Sequence, residues 1–186
     1  MTALARVPEP SIPEIELTRM RRRHLRKVIA IESSVYPRPW SASLFLSELT
    51  QKGSRSYLVA RHRGEVVGYA GMMFTGFEAH VTNIAVDPEW HSLKIGSRLL
   101  LTLVTEAIAR ASTRISLEVR VSNGVAQSMY EKFGFESSGV RGGYYIETNE
   151  DALIMVVHDA TSTSYRLRLQ RLREELDVLN VTDPND

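Results

Sequence analysis

One stretch of sequence decides the fold: Glu78-Ala79-His80-Val81-Thr82-Asn83-Ile84-Ala85-Val86-Asp87-Pro88, continuing as Glu89-Trp90-His91-Ser92-Leu93-Lys94-Ile95-Gly96. Its Val, Thr and Ile content predicts a strand over Glu78–Val86, which ends at Pro88 because proline cannot donate to a central ladder. A helix over residues 95–112 should follow. A strand, a short loop and a helix beginning near Gly96 present free backbone N–H groups and a helix dipole to an anion such as a pyrophosphate. Taken alone, the pattern also fits a glycine that only makes a tight turn.

The segments on both sides continue as strands and helices. Before the stretch, the patterning predicts a strand near residues 15–17, a helix over 22–34, a short helix capped by Ser41, and strands over 56–63 and 66–75. After it, we expect a strand over 115–119, a helix over 123–133 and a closing pair over 135–141 and 152–157. Apolar residues recur at helical spacing in the two later helices and predict their buried faces: Leu99, Leu100, Leu103, Val104, Ala107, Ala126, Met129, Tyr130 and Phe133. The class is mixed α/β (α+β).

Composition limits the chemistry. The 186 residues are 43% apolar, which suits one domain, and the net charge of +1 gives no global attraction to nucleic acid or an anionic membrane. The chain has no cysteine, so disulfides, thiolate zinc sites and cysteine nucleophiles are excluded. No apolar run approaches the length of about 20 residues that spans a bilayer, and the N-terminus does not resemble a signal peptide. We therefore expect a cytoplasmic protein that needs no metal and binds neither membrane nor nucleic acid directly.

Three regions are predicted along the chain. Residues 1–13 contain three prolines and are expected to be a flexible leader, residues 14–158 to be the catalytic domain, and residues 159–186 to be a helical tail. The tail repeats apolar residues at intervals of four and three: Tyr165, Leu169, Leu172, Leu176 and Leu179. Such a stripe is too short to be stable alone. It should pack against its own domain, or else join two chains, so the protein is expected to be a monomer or a weak dimer.

Two sets of motifs resemble a known family. The first is Val86-Asp87-Pro88-Glu89-Trp90 with the loop over residues 91–96. The second is Leu117-Glu118-Val119-Arg120-Val121-Ser122-Asn123, then Ala126, Met129-Tyr130-Glu131-Lys132-Phe133-Gly134-Phe135, Tyr144-Tyr145 and Glu150-Asp151-Ala152-Leu153-Ile154-Met155. Together they resemble the GCN5-related N-acetyltransferases (GNAT), and among them the enzymes that acetylate the N-terminal alanine of a ribosomal protein. The resemblance covers residues 15–157. The family's loop pattern is Gln/Arg-x-x-Gly-x-Gly/Ala. This loop departs from it at the first position, His91, and at the first glycine, where Lys94 stands, and keeps Gly96.

The resemblance implies a fold, a cosubstrate and a site. The GNAT fold has a mixed, mostly antiparallel sheet that splays where acetyl-CoA binds, with helices on both faces. Glu118 is implied as general base and Tyr130 as general acid. The acceptor, a protein N-terminus, would meet Glu118. The aromatic residues Tyr36, Trp40, Tyr144 and Tyr145 could form the walls of its groove, or could simply pack within their loops. The implied acetyl-CoA contacts are Ile84, Ala85, Val86, His91, Ser92, Lys94, Ile95, Gly96, Ser97, Asn123 and Tyr130.

The chemistry of these residue types agrees with the implied roles. An α-ammonium, with a pKa of about 8, must lose a proton before it attacks a thioester, and a carboxylate can take that proton. If Lys94 adopts a left-handed backbone, the cost is about 1 kcal/mol, and its ammonium could recover that by reaching a phosphate. Simpler interpretations remain: Glu118 as a surface carboxylate, Tyr130 as core packing, and His80 as a solvated or core histidine rather than an additional base.

Other functions also remain open. The acceptor could be a lysine side chain or a small-molecule amine, since this fold hosts many acceptors. Alternatively, the protein could be a CoA-binding regulatory module without turnover, because of the altered loop over residues 91–96. The basic cluster of Arg19, Arg21, Arg22, Arg23, Arg26 and Lys27 is best explained as a solvated helix face.

Overall fold

Strands and helices alternate along the chain much as the hydrophobic pattern predicts. A computed structural model describes residues 13–178, so the predicted leader, apart from Pro13, and the end of the tail, including Leu179, lie outside the described residues. The strands are β1 (Glu16–Arg19), β2 (Arg55–His62), β3 (Glu65–Thr75), β4 (Glu78–Val86), β5 (Arg114–Arg120), β6 (Glu136–Tyr145) and β7 (Glu150–Val157). The helices are α1 (Leu25–Val35), α2 (Ala42–Thr50), α3 (Ile95–Ala109), α4 (Gly124–Lys132) and α5 (Thr163–Val178).

The strands form one open, mixed sheet of seven strands in the order β1-β2-β3-β4-β5-β7-β6. All neighbours are antiparallel except β4 and β5, which are parallel. The predicted fold class, a mostly antiparallel sheet with helices on both faces, is therefore confirmed.

Alternation along the strands divides the core between the two faces of the sheet. On β2, Leu58 and Ala60 belong to a large cluster that also contains the buried residues of α3, whereas Tyr57 and Val59 face a cluster with Phe45 of α2. This is the two-residue period that a strand covered on both sides must show. The sheet is thus held from one side by α1 and α2, and from the other by α3 and α5.

Local chemistry sets most element boundaries. Ser41 caps α2 as expected, accepting a hydrogen bond from the Leu44 N–H at 3.2 Å. Asn123 caps α4 through its Oδ1, which accepts from the Ala126 N–H at 3.1 Å. Both side chains satisfy a helix N–H that has no partner within its helix.

Some predicted boundaries were wrong. The helix expected over residues 22–34 begins at Leu25, because Arg22–His24 form a separate 3-10 turn. The helix expected to reach residue 112 ends at Ala109, since Ala111 adopts φ 60° and the Ser112 N–H turns back to the Ala107 carbonyl at 2.9 Å. A left-handed residue after a helix is usually glycine, so the alanine at position 111 did not indicate in the sequence that the helix ends there.

The tail helix α5 packs against its own domain. Tyr165, Leu169 and Leu176 are buried in the cluster that α3 also fills, and Leu172 packs against it. From α3, Arg98 donates a hydrogen bond from Nη2 to the Leu176 carbonyl at 2.9 Å. The apolar stripe is therefore used within the chain, as the first of the two sequence interpretations expected. Within residues 13–178, no helix is both long and apolar enough to cross a membrane.

Candidate active site

The sheet opens into a fork between β4 and β5. Only three residue pairs join these strands, Glu78 with Arg114, Ala79 with Ile115 and His80 with Ser116. Beyond His80, β4 stays paired with β3 and β5 stays paired with β7. The edge of β4 that includes Ile84 and Val86 is therefore not paired with β5. An unpaired strand edge offers backbone N–H and C=O groups to a bound molecule.

A bulge on β4 adjoins the fork. The register between β3 and β4 shifts after Gly71, which pairs with Asn83, while Met72 pairs with Val81. A Cβ on Gly71 would lie 2.2 Å from Cε1 of Tyr57 and 2.6 Å from Oγ1 of Thr82, so this position requires glycine. Bulges re-aim the following residues of a strand, and here those residues are the ones that border the fork.

The loop before α3 presents the start of that helix toward the open end of β4. Ser92 and Lys94 both have positive φ, 68° and 58°, and Lys94 precedes the first residue of α3. His91 Nε2 lies 3.1 Å from the Val86 carbonyl oxygen, which ties the loop to the end of β4. The first turn of a helix has backbone N–H groups without intrahelical partners and the positive end of the dipole, which together favour an anion.

Glu118 lies beside the fork with both carboxylate oxygens engaged. Its Oε2 is 2.9 Å from Nε2 of His80, and its Oε1 is 3.2 Å from Nη1 of Arg141. The hydrogen bond from His80 lowers the pKa of Glu118; burial opposes this, and the charges of His80 and Arg141 add to it. Glu118 is therefore an anion at neutral pH, with only 12% of its side chain exposed.

Tyrosine side chains gather around the same region. Burial raises the pKa of Tyr36, and the neighbouring Tyr130, Glu32 and Tyr145 raise it further, while its hydroxyl donates to the Ile84 carbonyl at 2.7 Å. Burial also raises the pKa of Tyr130, whose ring meets Phe135 edge-on at 5.8 Å. Tyr145 has a pKa raised by burial to about 12. All three phenols stay protonated at neutral pH and can donate a proton.

The comparison with known proteins agrees with this architecture. The sequence profile of the acetyltransferase (GNAT) family matches residues 25–135. The chain belongs to the GNAT family. The match runs from the start of α1 to Phe135, just before β6, and so includes the fork, the loop before α3, Glu118 and Tyr130.

Individual relatives are similar over most of the GNAT domain. A protein of Bacillus subtilis (strain 168), provisionally named a ribosomal protein bS18-alanine N-acetyltransferase, is 39% identical over 138 residues, which are 74% of this chain and 91% of the relative. The enzyme named ribosomal protein bS18-alanine N-acetyltransferase in Escherichia coli (strain K12) is 34% identical over 129 residues, 68% of this chain and 86% of the relative. The crystal structure of the Escherichia coli ribosomal-protein-S18-alanine N-acetyltransferase superposes with a TM-score of 0.71 at 30% identity, covering 77% of this chain and 93% of that one.

The cosubstrate of the GNAT family is acetyl-CoA, and three features of this chain fit it. The fork leaves a strand edge free for an extended arm, the start of α3 faces the end of β4, and the gap between α3 and α4 is narrow at Gly96. A Cβ there would lie 3.5 Å from Sδ of Met129. A larger residue at Gly96 would fill the space beside the start of α3.

Other residues singled out from the sequence have different surroundings. Ala85 is buried on the α1–α2 side of the sheet, whereas Ile84 and Val86 pack on the α3 side. Trp40 packs against Phe45 with ring centroids 5.4 Å apart. Tyr144 meets Tyr145 edge-on at 5.1 Å, at the end of β6.

Two residues near Glu118 were missed or undervalued. The sequence favoured a solvated or core histidine over an additional base at His80, yet His80 contacts Glu118 directly. Arg141 was not singled out at all. It reaches Glu118 from β6, across β7, because the strand order is β5-β7-β6. Alternation along β4 did suggest His80 as an additional base, but no pattern in the sequence brings β6 to within one strand of β5.

Proposed function

We propose that this protein transfers the acetyl group of acetyl-CoA to the N-terminal α-amine of a protein, and that its substrate is a ribosomal protein beginning with alanine. The observation that carries this proposal is an ionised, largely buried Glu118 beside an open fork in a GNAT sheet. The printed names of relatives at 34% and 39% identity support the choice of acceptor. Acetyl-CoA supplies an activated acetyl thioester whose leaving group is a thiol.

The chain has groups suited to each part of this cosubstrate. Backbone N–H groups of Ile95, Gly96 and Ser97 would meet the pyrophosphate, because the first turn of α3 leaves them without helical partners. The ammonium of Lys94 and the loop residues His91 and Ser92 lie next to that turn. Along the fork, backbone groups of Ile84, Ala85 and Val86 would hold the extended arm, with Asn123 at the start of α4 near its reactive end.

Glu118 is assigned to the acceptor amine. An α-ammonium has a pKa of about 8 and must lose a proton before it becomes a nucleophile. The charge of Glu118 attracts the ammonium, and its oxygen can hold the proton, directly or through a water molecule, while the amine reacts. Because the pKa of Glu118 is lowered, the carboxylate is a weak base that holds this proton only briefly before solvent takes it.

Tyr130 is assigned as the proton donor. Its phenol is neutral at neutral pH because burial raises its pKa. It lies on α4, the helix that follows β5, and so approaches the fork from the side of Glu118's own strand. The Tyr130 hydroxyl can therefore provide the proton that a departing thiolate requires. Backbone N–H groups of residues 84–86 are the donors available to a developing oxyanion.

The acceptor's polypeptide would lie between the α1–α2 loop and the β6–β7 turn. Tyr36 and Trp40 belong to the first, and Tyr144 and Tyr145 end β6 just before the second. Aromatic walls of this kind favour a flexible chain end over a lysine held in the middle of a chain. The α-amine is also easier to deprotonate than lysine, whose pKa is about 10.4.

A peptide panel tests the proposal. Peptides that begin with alanine should release free thiol from acetyl-CoA, and the same peptides with a blocked terminus should not. Turnover of blocked peptides at an internal lysine would replace the acceptor assignment with lysine acetylation. Binding of acetyl-CoA without turnover of any amine would favour a regulatory CoA-binding module.

A further inference from the structure

The parallel ladder between β4 and β5 ends on two polar residues, His80 and Ser116, which are Cα partners. Glu118 lies two positions beyond Ser116 on β5. Alternate residues of a strand share a face, so Ser116 and Glu118 are presented on the same side, next to His80. His80 therefore stands at the closed end of the fork, and Glu118 stands where the strands begin to part.

Both ring nitrogens of His80 have partners. Nε2 lies 2.9 Å from Oε2 of Glu118, and Nδ1 lies 3.0 Å from Oγ of Ser116. An ionised carboxylate can only accept hydrogen bonds, so Nε2 must carry the hydrogen. The Ser116 hydroxyl can donate to Nδ1 or accept from it, so the ring keeps both contacts whether it is neutral or protonated.

The two oxygens of Glu118 are held differently. Oε2 faces His80, whose side chain is 28% exposed, whereas Oε1 faces Arg141, whose side chain is 54% exposed. More than half of the Arg141 side chain is exposed, so water can solvate its guanidinium when it leaves Oε1. An incoming ammonium can therefore displace Arg141 from Oε1, while Oε2 stays with His80.

His80 also borders a surface pocket of about 170 Å³. His80 and Ser116 line it together with Met73, Thr75, Glu78 and Ala79. The charged groups around the imidazole are Glu118 and, through it, Arg141, together with Glu78, which pairs with Arg114 at 3.4 Å.

We propose that His80 is a positioning residue for this reaction, with Ser116 as its support. Its Nε2–H fixes Oε2 of Glu118, so that Oε1 is turned toward the acceptor's amine. This inference rests on the acetyl transfer proposed above.

Kinetics of two substitutions test the role. His80→Ala should lower kcat/KM for the acceptor peptide about 10- to 100-fold, because a misplaced catalytic group costs on that order. The Kd for acetyl-CoA should not change. His80→Gln should recover part of the loss, since its carboxamide N–H can reach Glu118. The matched control is His158→Ala, an exposed histidine at the end of the domain.

Nuclear magnetic resonance of the protein without substrates tests the contact independently of turnover. The 15N shifts of His80, assigned from the spectrum of His80→Gln, should show hydrogen on Nε2 and should change in Glu118→Gln. Unchanged His80 shifts in that variant, or wild-type kcat/KM in His80→Ala, would overturn the inference. If the wild type acetylates no peptide, the proposed function fails, and the spectra still decide whether His80 holds Glu118.

Discussion

Lys94 affects the stability of the fold through its backbone conformation and the binding of acetyl-CoA through its charge, and replacing it with glycine tests both effects. Lys94 has φ 58° and ψ 19°, a left-handed backbone that costs a non-glycine residue about 1–2 kcal/mol. Glycine removes that cost but loses about 0.5–1 kcal/mol more conformational entropy on folding. The difference predicts that Lys94→Gly raises the free energy of unfolding by about 0.5 kcal/mol, which in a domain of this size is about 1–2 °C in Tm.

The same change should weaken cosubstrate binding. The Lys94 side chain is exposed beside the first turn of α3, and an exposed ion pair with a phosphate contributes about 0.4–1 kcal/mol. We expect the Kd for acetyl-CoA to rise about two- to fivefold. Thermal unfolding and calorimetric titration measure the two effects on one sample.

Lys94→Asn is the matched control, because asparagine tolerates a left-handed backbone and carries no charge. Lys94→Asn should lose the same affinity for acetyl-CoA as Lys94→Gly, without the greater backbone flexibility that glycine has in the unfolded chain. A Tm several degrees lower in Lys94→Gly would refute the argument about backbone strain. Wild-type affinity in both variants would refute the phosphate contact.

Three further substitutions probe the catalytic residues and the tail. Glu118→Gln should lower kcat by about 10²- to 10⁴-fold while acetyl-CoA binds as in the wild type, since a lost base acts on the transition state; unchanged single-turnover rates would remove Glu118 from that role. Tyr130→Phe keeps the ring that packs on Phe135, so it should lower kcat at least tenfold and change the free energy of unfolding by less than about 1 kcal/mol; equal turnover would leave Tyr130 as packing alone. Leu169→Ala should lower the free energy of unfolding by about 2–5 kcal/mol without altering the sedimentation coefficient, because Leu169 is buried in its own domain; a changed oligomeric state at unchanged stability would show that the stripe joins two chains.

Local patterns predicted much of the fold. The strand over Glu78–Val86 was predicted with the bounds it has, because its β-branched content and the following Pro88 are both local signals. The cap at Ser41 is equally local, whereas Asn123 was expected within its helix and caps it instead. The left-handed backbone at Lys94 was anticipated because the family pattern has glycine at that position.

The missing parts depend on tertiary arrangement. The end of α3 is set by Ala111, whose φ of 60° is imposed without a glycine. The partners of Glu118 come from β4 and β6, and only the strand order brings Arg141 near it. The sequence identifies the candidate carboxylate. Its pKa, and which of its two oxygens is available to the acceptor amine, depend on neighbours that are distant in the chain.

The central claim, acetylation of a protein's N-terminal amine, is tested most directly by mapping the product on a peptide that offers both kinds of amine. Such a peptide begins with alanine, has a free terminus and carries one internal lysine. It is incubated with the protein and acetyl-CoA, and fragment masses locate the added acetyl group. The account predicts acetyl on the terminal alanine and none on lysine above the level seen with Glu118→Gln. Acetyl predominantly on lysine, or equal turnover of the same peptide with its terminus blocked, would contradict the N-terminal assignment.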